Sequence, residues 1–164
     1  VYGGLGFMYF NPKGEYQGTW HKLQPLGTEG QGLPGEAEKY NRTTFTIPYG
    51  IGLGKSIDRY WGVNLELTFR QTFSDYIDDV SGNYYGRKNI YQAKIDQGSS
   101  SAEATKVAFL SDPSQGLDGN PANGFTNILD PDRNDLVGQQ RGDPSDNDAY
   151  MTLMVTVSRK IVKR

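Results

Sequence analysis

Three acid-rich stretches hold the residues best suited to chemistry: SDYIDD at 74–79, DPDRND at 130–135 and DPSDND at 143–148. Carboxylates at alternating positions supply the oxygen donors that calcium takes. None of the three has the glycine and closing glutamate of an EF-hand loop. Asp and Asn beside Pro and Gly also build turns by bonding to their own backbone, and that is the reading these compositions favour; no metal site is expected. His21 is the single histidine, a loop residue beside Trp20, and no Ser or Asp spacing around it outlines a triad. GGLG at 3–6 and GIGLG at 50–54 lie inside apparent strands with no following helix to hold an anion, so they are not phosphate loops. Cysteine is absent, which removes disulfides, thiolate metal sites and cysteine nucleophiles together. The chain reads as non-enzymatic and without a cofactor.

The elements that would position these side chains are strands. A length of 164 residues with no fixed-period repeat suits a single domain, 1–164. The formal charge of −2, with no Lys/Arg cluster interleaved with aromatics, argues against nucleic-acid binding. No run of 18 apolar residues exists to form a membrane helix, but a transmembrane β-barrel needs none.

Four segments alternate with the period of two that turns successive side chains to opposite faces. In TTFTIPYGIGLG, Phe45, Ile47, Tyr49, Ile51 and Leu53 oppose a face of Thr, Pro and Gly. In WGVNLELTFR, Val63, Leu65 and Leu67 oppose Asn64, Glu66, Thr68 and Arg70, and in AYMTLMVTVS, Leu153, Val155 and Val157 form the apolar row. VYGGLGFMYF places Tyr2, Met8 and Phe10 opposite Leu5, Phe7 and Tyr9. The less apolar face is rich in Gly and Thr, whereas a sandwich would turn bulky polar side chains to water there. Interior strand Gly is costly unless close packing requires it, as in a narrow barrel. An antiparallel outer-membrane β-barrel is therefore expected, with the three apolar rows facing lipid and Tyr2, Met8, Asn64, Glu66, Thr68 and Arg70 in the lumen. Glu66 and Arg70, the charges in mid-strand, would need partners on neighbouring strands.

Aromatics and connections follow one axis. Tyr60 and Trp61 at one end of their strand, and Phe69 and Phe73 toward the other, would form the two interfacial girdles. The turn 55–60 is short and is expected to be periplasmic, while the connections 11–42 and 74–149 are long and expected to be extracellular. Segment 73–149 carries thirteen acidic against six basic residues; Lys55, Arg59, Lys160 and Lys163 make the opposite end basic, a rim suited to an acidic periplasmic partner. Within the long loop, RKNIYQAKID and SSAEATKVAFL read as short helices, the second opened by a Ser cap. Four strands are too few to close a barrel, so the remainder is expected upstream of Val1 or from other protomers.

FNPKGEYQGTWHKLQPLGTEGQG at 10–32, IPYGIGLGKSIDRYWGVNLELTFRQTFSDYIDDVSGNYY at 47–85 and QRGDPSDNDAYM at 140–151 together resemble the PorG family of outer-membrane β-barrels in the type IX secretion system. The resemblance covers most of the chain except 86–139. It implies half of an eight-stranded barrel in the outer membrane of a Gram-negative bacterium, positioning periplasmic ring subunits, a lipoprotein and its partner. It supplies no catalytic residue. Its loop motif residues, Asp75, Asp78, Asp79, Arg141, Gly142 and Asp146, would fold the loops together, with Arg141 paired to one of Asp75, Asp78 or Asp79. A small pore or ligand-binding barrel and a soluble adhesion sandwich are the competing readings.

Overall fold

The computed structural model describes residues 1–113 and 136–161. Along the chain run β1 (Tyr2–Gly3), β2 (Gly6–Tyr9), β3 (Lys13–Tyr16), β4 (Thr19–Lys22), β5 (Thr43–Ser56), β6 (Trp61–Thr72), α1 (Arg87–Asp96), α2 (Ser101–Ser111) and β7 (Ala149–Arg159). The structure is mostly antiparallel sheet with two helices, and no described helix is long and apolar enough to cross a membrane.

The chain divides into two compact units: Val1–Tyr9, Thr43–Ser74 and Asn147–Arg164 form the first, and Phe10–Arg42 with Asp75–Asp146 form the second. The segments expected as long loops of a single domain thus supply a compact unit of their own, because they carry enough apolar side chains to make a core.

The first unit is one sheet in which β5 pairs with β1 and β2 on one side and with β6 on the other, and β6 pairs with β7. The expected first strand is split in two. Gly4 N–H donates to Pro48 O at 2.9 Å, but Pro48 has no N–H to return the bond. β1 and β2 nevertheless share one register on β5, with Tyr2 opposite Gly50 and Gly6 opposite Thr46. Strand ends Tyr9, Thr43, Thr72 and Ala149 share one end of the sheet; the turn 57–60 closes the other, where Asp58 Oδ1 accepts the N–H groups of Tyr60 and Trp61 at 2.7 and 2.8 Å.

The second unit packs Leu33, Ile90, Val107 and Ala108 into a core against Leu26, Tyr85, Tyr91 and Ala93. Both helices occur where the sequence placed them, and Ser100 caps α2 by accepting the Glu103 N–H at 3.2 Å. The β3–β4 hairpin was not foreseen. Its two-residue turn puts Gln17 at φ 49° and Gly18 at φ 75°, the left-handed pair that suits the twist of a tight hairpin.

Candidate functional site

Pairing register sorts the first unit's side chains into two faces. Ile51, Leu67 and Leu153 form one lateral row, Leu53, Leu65 and Val155 the next, and Lys55, Val63 and Val157 the one after. On the opposite face Pro48, Arg70 and Tyr150 align, followed by Gly50, Thr68 and Thr152, then Gly52, Glu66 and Met154.

Burial on these faces is the reverse of a soluble sheet. Thr44, Thr46, Thr68 and Thr72 are buried, whereas Phe45, Leu53, Leu153 and Val155 are each between 64% and 76% exposed. Ile47, Ile51, Leu65, Phe69 and Val157 are exposed as well. Only Val63 and Leu67, on the strand flanked by β5 and β7, are half-buried.

The threonine and glycine face is concave. In a flat sheet β2 and β7 would lie about 14 Å apart, three strand spacings. Tyr150 Oη nonetheless lies 3.3 Å from Met8 Sδ, and Tyr2 reaches across β5 to hydrogen-bond Thr68 on β6. Glycines make this possible. A Cβ at Gly50 would sit 2.9 Å from Tyr2 Oη and 2.4 Å from Leu67 O, and one at Gly54 would sit 2.2 Å from Asn64 Oδ1. Each gap left by a missing side chain is covered by a neighbour's.

Most residues expected in the lumen therefore come together on this concave face. Arg70 finds a partner on the adjacent strand, donating to Thr152 Oγ1 at 2.8 Å with Tyr150's ring 5.5 Å from its guanidinium carbon. Glu66 lies over Gly52, whose missing Cβ would be 3.2 Å from Glu66 Cγ. Phe10 does not belong to this set: it is buried in the second unit, stacked 6.1 Å from Tyr40, because the chain leaves β2 at Tyr9. Tyr60, Trp61, Phe69 and Phe73 are all exposed, with Phe69 stacked on Tyr49 at 5.7 Å. Lys163 and the 130–135 stretch lie outside the described residues.

The second unit holds a buried polar cluster that the sequence only half revealed. Arg141 does not pair with the carboxylate of Asp75, Asp78 or Asp79; its Nη1 donates to Glu29 Oε1 and to the backbone carbonyl of Asp79, both at 3.1 Å. Glu29 also accepts the Ser81 and Gly82 N–H groups, at 3.1 and 3.2 Å. Asp79, with φ 71°, turns its carboxylate elsewhere and accepts from Thr28 Oγ1 and, at 2.5 Å, Tyr40 Oη. A Cβ at Gly142 would lie 2.7 Å from Ser81 O, so Gly lets the Arg141 segment approach closely enough for two N–H groups to share Gly82 O, each at 2.9 Å. Asp143 builds a turn, accepting from Ser145 N–H and Oγ at 3.0 and 2.6 Å. His21 packs edge-on to Tyr16 and, with Thr19, Ser100, Glu103 and Lys106, borders an open cleft of about 460 Å³. Among the described residues no three His, Cys, Asp or Glu side chains gather to hold a metal.

Burial raises the pKa of Asp79 against the opposing pull of its Thr28 and Tyr40 hydrogen bonds and of Arg141. A carboxyl raised in the fold favours the native state when protonated, so its contribution is complete below the unfolded value near 3.9 and is lost as pH rises through the folded pKa. Protection factors in the second unit, that is amide exchange corrected for its intrinsic base catalysis, should therefore rise on acidification from pH 7 toward 4, and Asp79→Asn should flatten that response. The Ser145 bonds depress Asp143, whose contribution is lost only below about pH 3.9, outside this window. Protection factors of the wild type that fall between pH 7 and 4 would contradict the assignment.

Compared with protein-family models, curated proteins and solved structures, the chain matches none.

Proposed function

We propose that this chain is part of an outer-membrane β-barrel of the PorG kind, a non-enzymatic subunit of a type IX-like secretion machine that anchors or positions periplasmic ring subunits. The observation that carries the membrane reading is the reversed sheet: an exposed apolar convex face and a packed, hydroxyl-rich concave one. Water would penalise the first, and hydrocarbon removes the penalty. Dimensions agree. The ten steps from Phe45 to Lys55, rising about 3.3 Å each and tilted about 40°, cover roughly the 25 Å apolar band of such barrels. The free edges of β1, β2 and β7 have no partner strand among the described residues, and in hydrocarbon those backbone groups must be paired, so further strands complete the barrel. The secretion role rests on the resemblance of segments 10–32, 47–85 and 140–151.

A nitroxide at Leu65 or Leu153 in membrane-reconstituted protein should relax with bilayer-dissolved oxygen and resist a polar nickel reagent, while one at Asn64 should be shielded from oxygen. Labels at Leu65 and Leu153 that neither reagent reaches would sink the membrane reading and favour a sandwich. Co-purification of periplasmic ring subunits from detergent extracts tests the secretion role separately.

A further inference from the structure

The cations at the turn end do not all project off the ends of the strands. Lys55 follows Ile51 and Leu53 in alternation on β5, and so extends the apolar face itself. Arg159 pairs directly with Trp61 on that face, its guanidinium carbon 5.4 Å from the indole. Arg59 lies 5.9 Å from the Tyr60 ring, and Lys160 N–H donates to Tyr60 O at 2.8 Å, holding the chain after β7 against the turn. The apolar rows therefore end in a layer where cations and aromatic rings alternate.

Asp58 is the acidic residue nearby, and its Oδ1 is engaged by two turn N–H groups. Among the described residues, none of these four cations makes an ion pair. At the other end the same face carries Phe7 and Phe45, edge to face at 5.5 Å, with Thr43, Gln71 and Ala149 and no cation. Uncompensated positive charge thus marks one margin of the apolar band and not the other.

We propose that the Lys55, Trp61 and Arg159 margin, with Arg59 and Tyr60, binds the phosphate of anionic phospholipid headgroups. This rests on the membrane-barrel reading above. Interfacial rings set the depth, and the long Lys and Arg stems lie along apolar surface while their charged ends reach the headgroup level. An acidic protein would meet charges directed off the strand ends; here two of the four cations share the face of the hydrocarbon-sized band. The site selects the leaflet richer in anionic phospholipid.

The test is electron spin resonance on the protein in phosphatidylcholine bilayers containing trace spin-labelled phosphatidylglycerol or spin-labelled phosphatidylcholine. The phosphatidylglycerol label should associate at the protein boundary about two- to fivefold more strongly, the scale expected for a few partly screened cations. Lys55→Gln/Arg159→Gln should bring the two labels to parity without changing the restricted phosphatidylcholine fraction, which reports that the variant is inserted. Inorganic phosphate should erode the preference no more than sodium chloride of equal ionic strength. Parity already in the wild type overturns the headgroup site and leaves the barrel standing, and charge reversal at Lys55 and Arg159 that then releases a co-purifying protein assigns the margin to an acidic partner. Absence of restricted lipid with both labels overturns the barrel reading itself.

Discussion

Arg141→Ala should destabilise the second unit by about 3–5 kcal/mol, the cost of stranding one member of a buried ion pair. Arg141 and Glu29 side chains are both more than nine-tenths buried, so solvent cannot take over the lost interaction. The guanidinium also holds the Asp79 carbonyl and lies 5.8 Å from the Tyr84 ring, so truncation loosens the 79–84 backbone as well. Arg141→Lys keeps the charge but is shorter and loses the planar guanidinium over the Tyr84 ring, and should cost about 1–3 kcal/mol. Glu29→Ala combined with Arg141→Ala should cost less than the sum of the two, because neither charge is then left alone. Amide exchange at Ser81, Gly82, Tyr84 and Gly142, read beside a first-unit amide such as that of Leu67, measures the effect locally. Unchanged protection at the four amides would show that Glu29 is held by its backbone donors without the guanidinium.

That pair also shows where sequence reasoning reached its limit. The family resemblance singled out Arg141 and the 75–79 carboxylates, and Arg141 does meet that segment, but at the Asp79 carbonyl. Glu29, 112 positions away, was invisible because nothing local distinguishes one carboxylate from another. A left-handed φ at Asp79 and hydroxyls from Thr28 and Tyr40 decide the matter, and all three are tertiary facts. The β3–β4 hairpin escaped for a related reason. KGEYQGTWHK lacks a clean apolar alternation, and Gln replaces the usual Asn or Asp before the turn Gly. It is positioned by distant packing: a Cβ at Gly14 would lie 2.8 Å from Leu110 Cδ2.

By contrast β5, β6 and β7 were legible almost residue by residue. Period-two alternation is local, and one buried face fixes the register that pairs Leu53, Leu65 and Val155 in a row. The glycines at 50, 52 and 54 carried further information, since their only rationale was close approach across a curved face. Which solvent meets the apolar rows is not a local property. Exposure of Leu53 at 76% and Leu153 at 68% shows that no described part of this chain covers them.

The second large effect follows from that exposure and depends on depth. Arg substituted at Leu65 or Leu67, in the central rows, should destabilise the membrane-inserted protein by about 2–4 kcal/mol. At Trp61, beside the cationic margin, the cost should fall to about 0–1 kcal/mol. Leu53 and Val155 pair with Leu65 on the neighbouring strands and, with strands tilted about 40°, lie only about 3 Å to either side of its depth, so Arg at all three should cost the same within about 1 kcal/mol despite their different exposure, since bilayer depth rather than burial by protein sets the cost. Reversible denaturant titration in lipid vesicles measures the series. A protein core would give the opposite order: half-buried Leu67 should then suffer most, and Leu53 or Val155 should tolerate Arg almost freely. Costs that track residue exposure and ignore the rows would mean that these side chains never meet lipid.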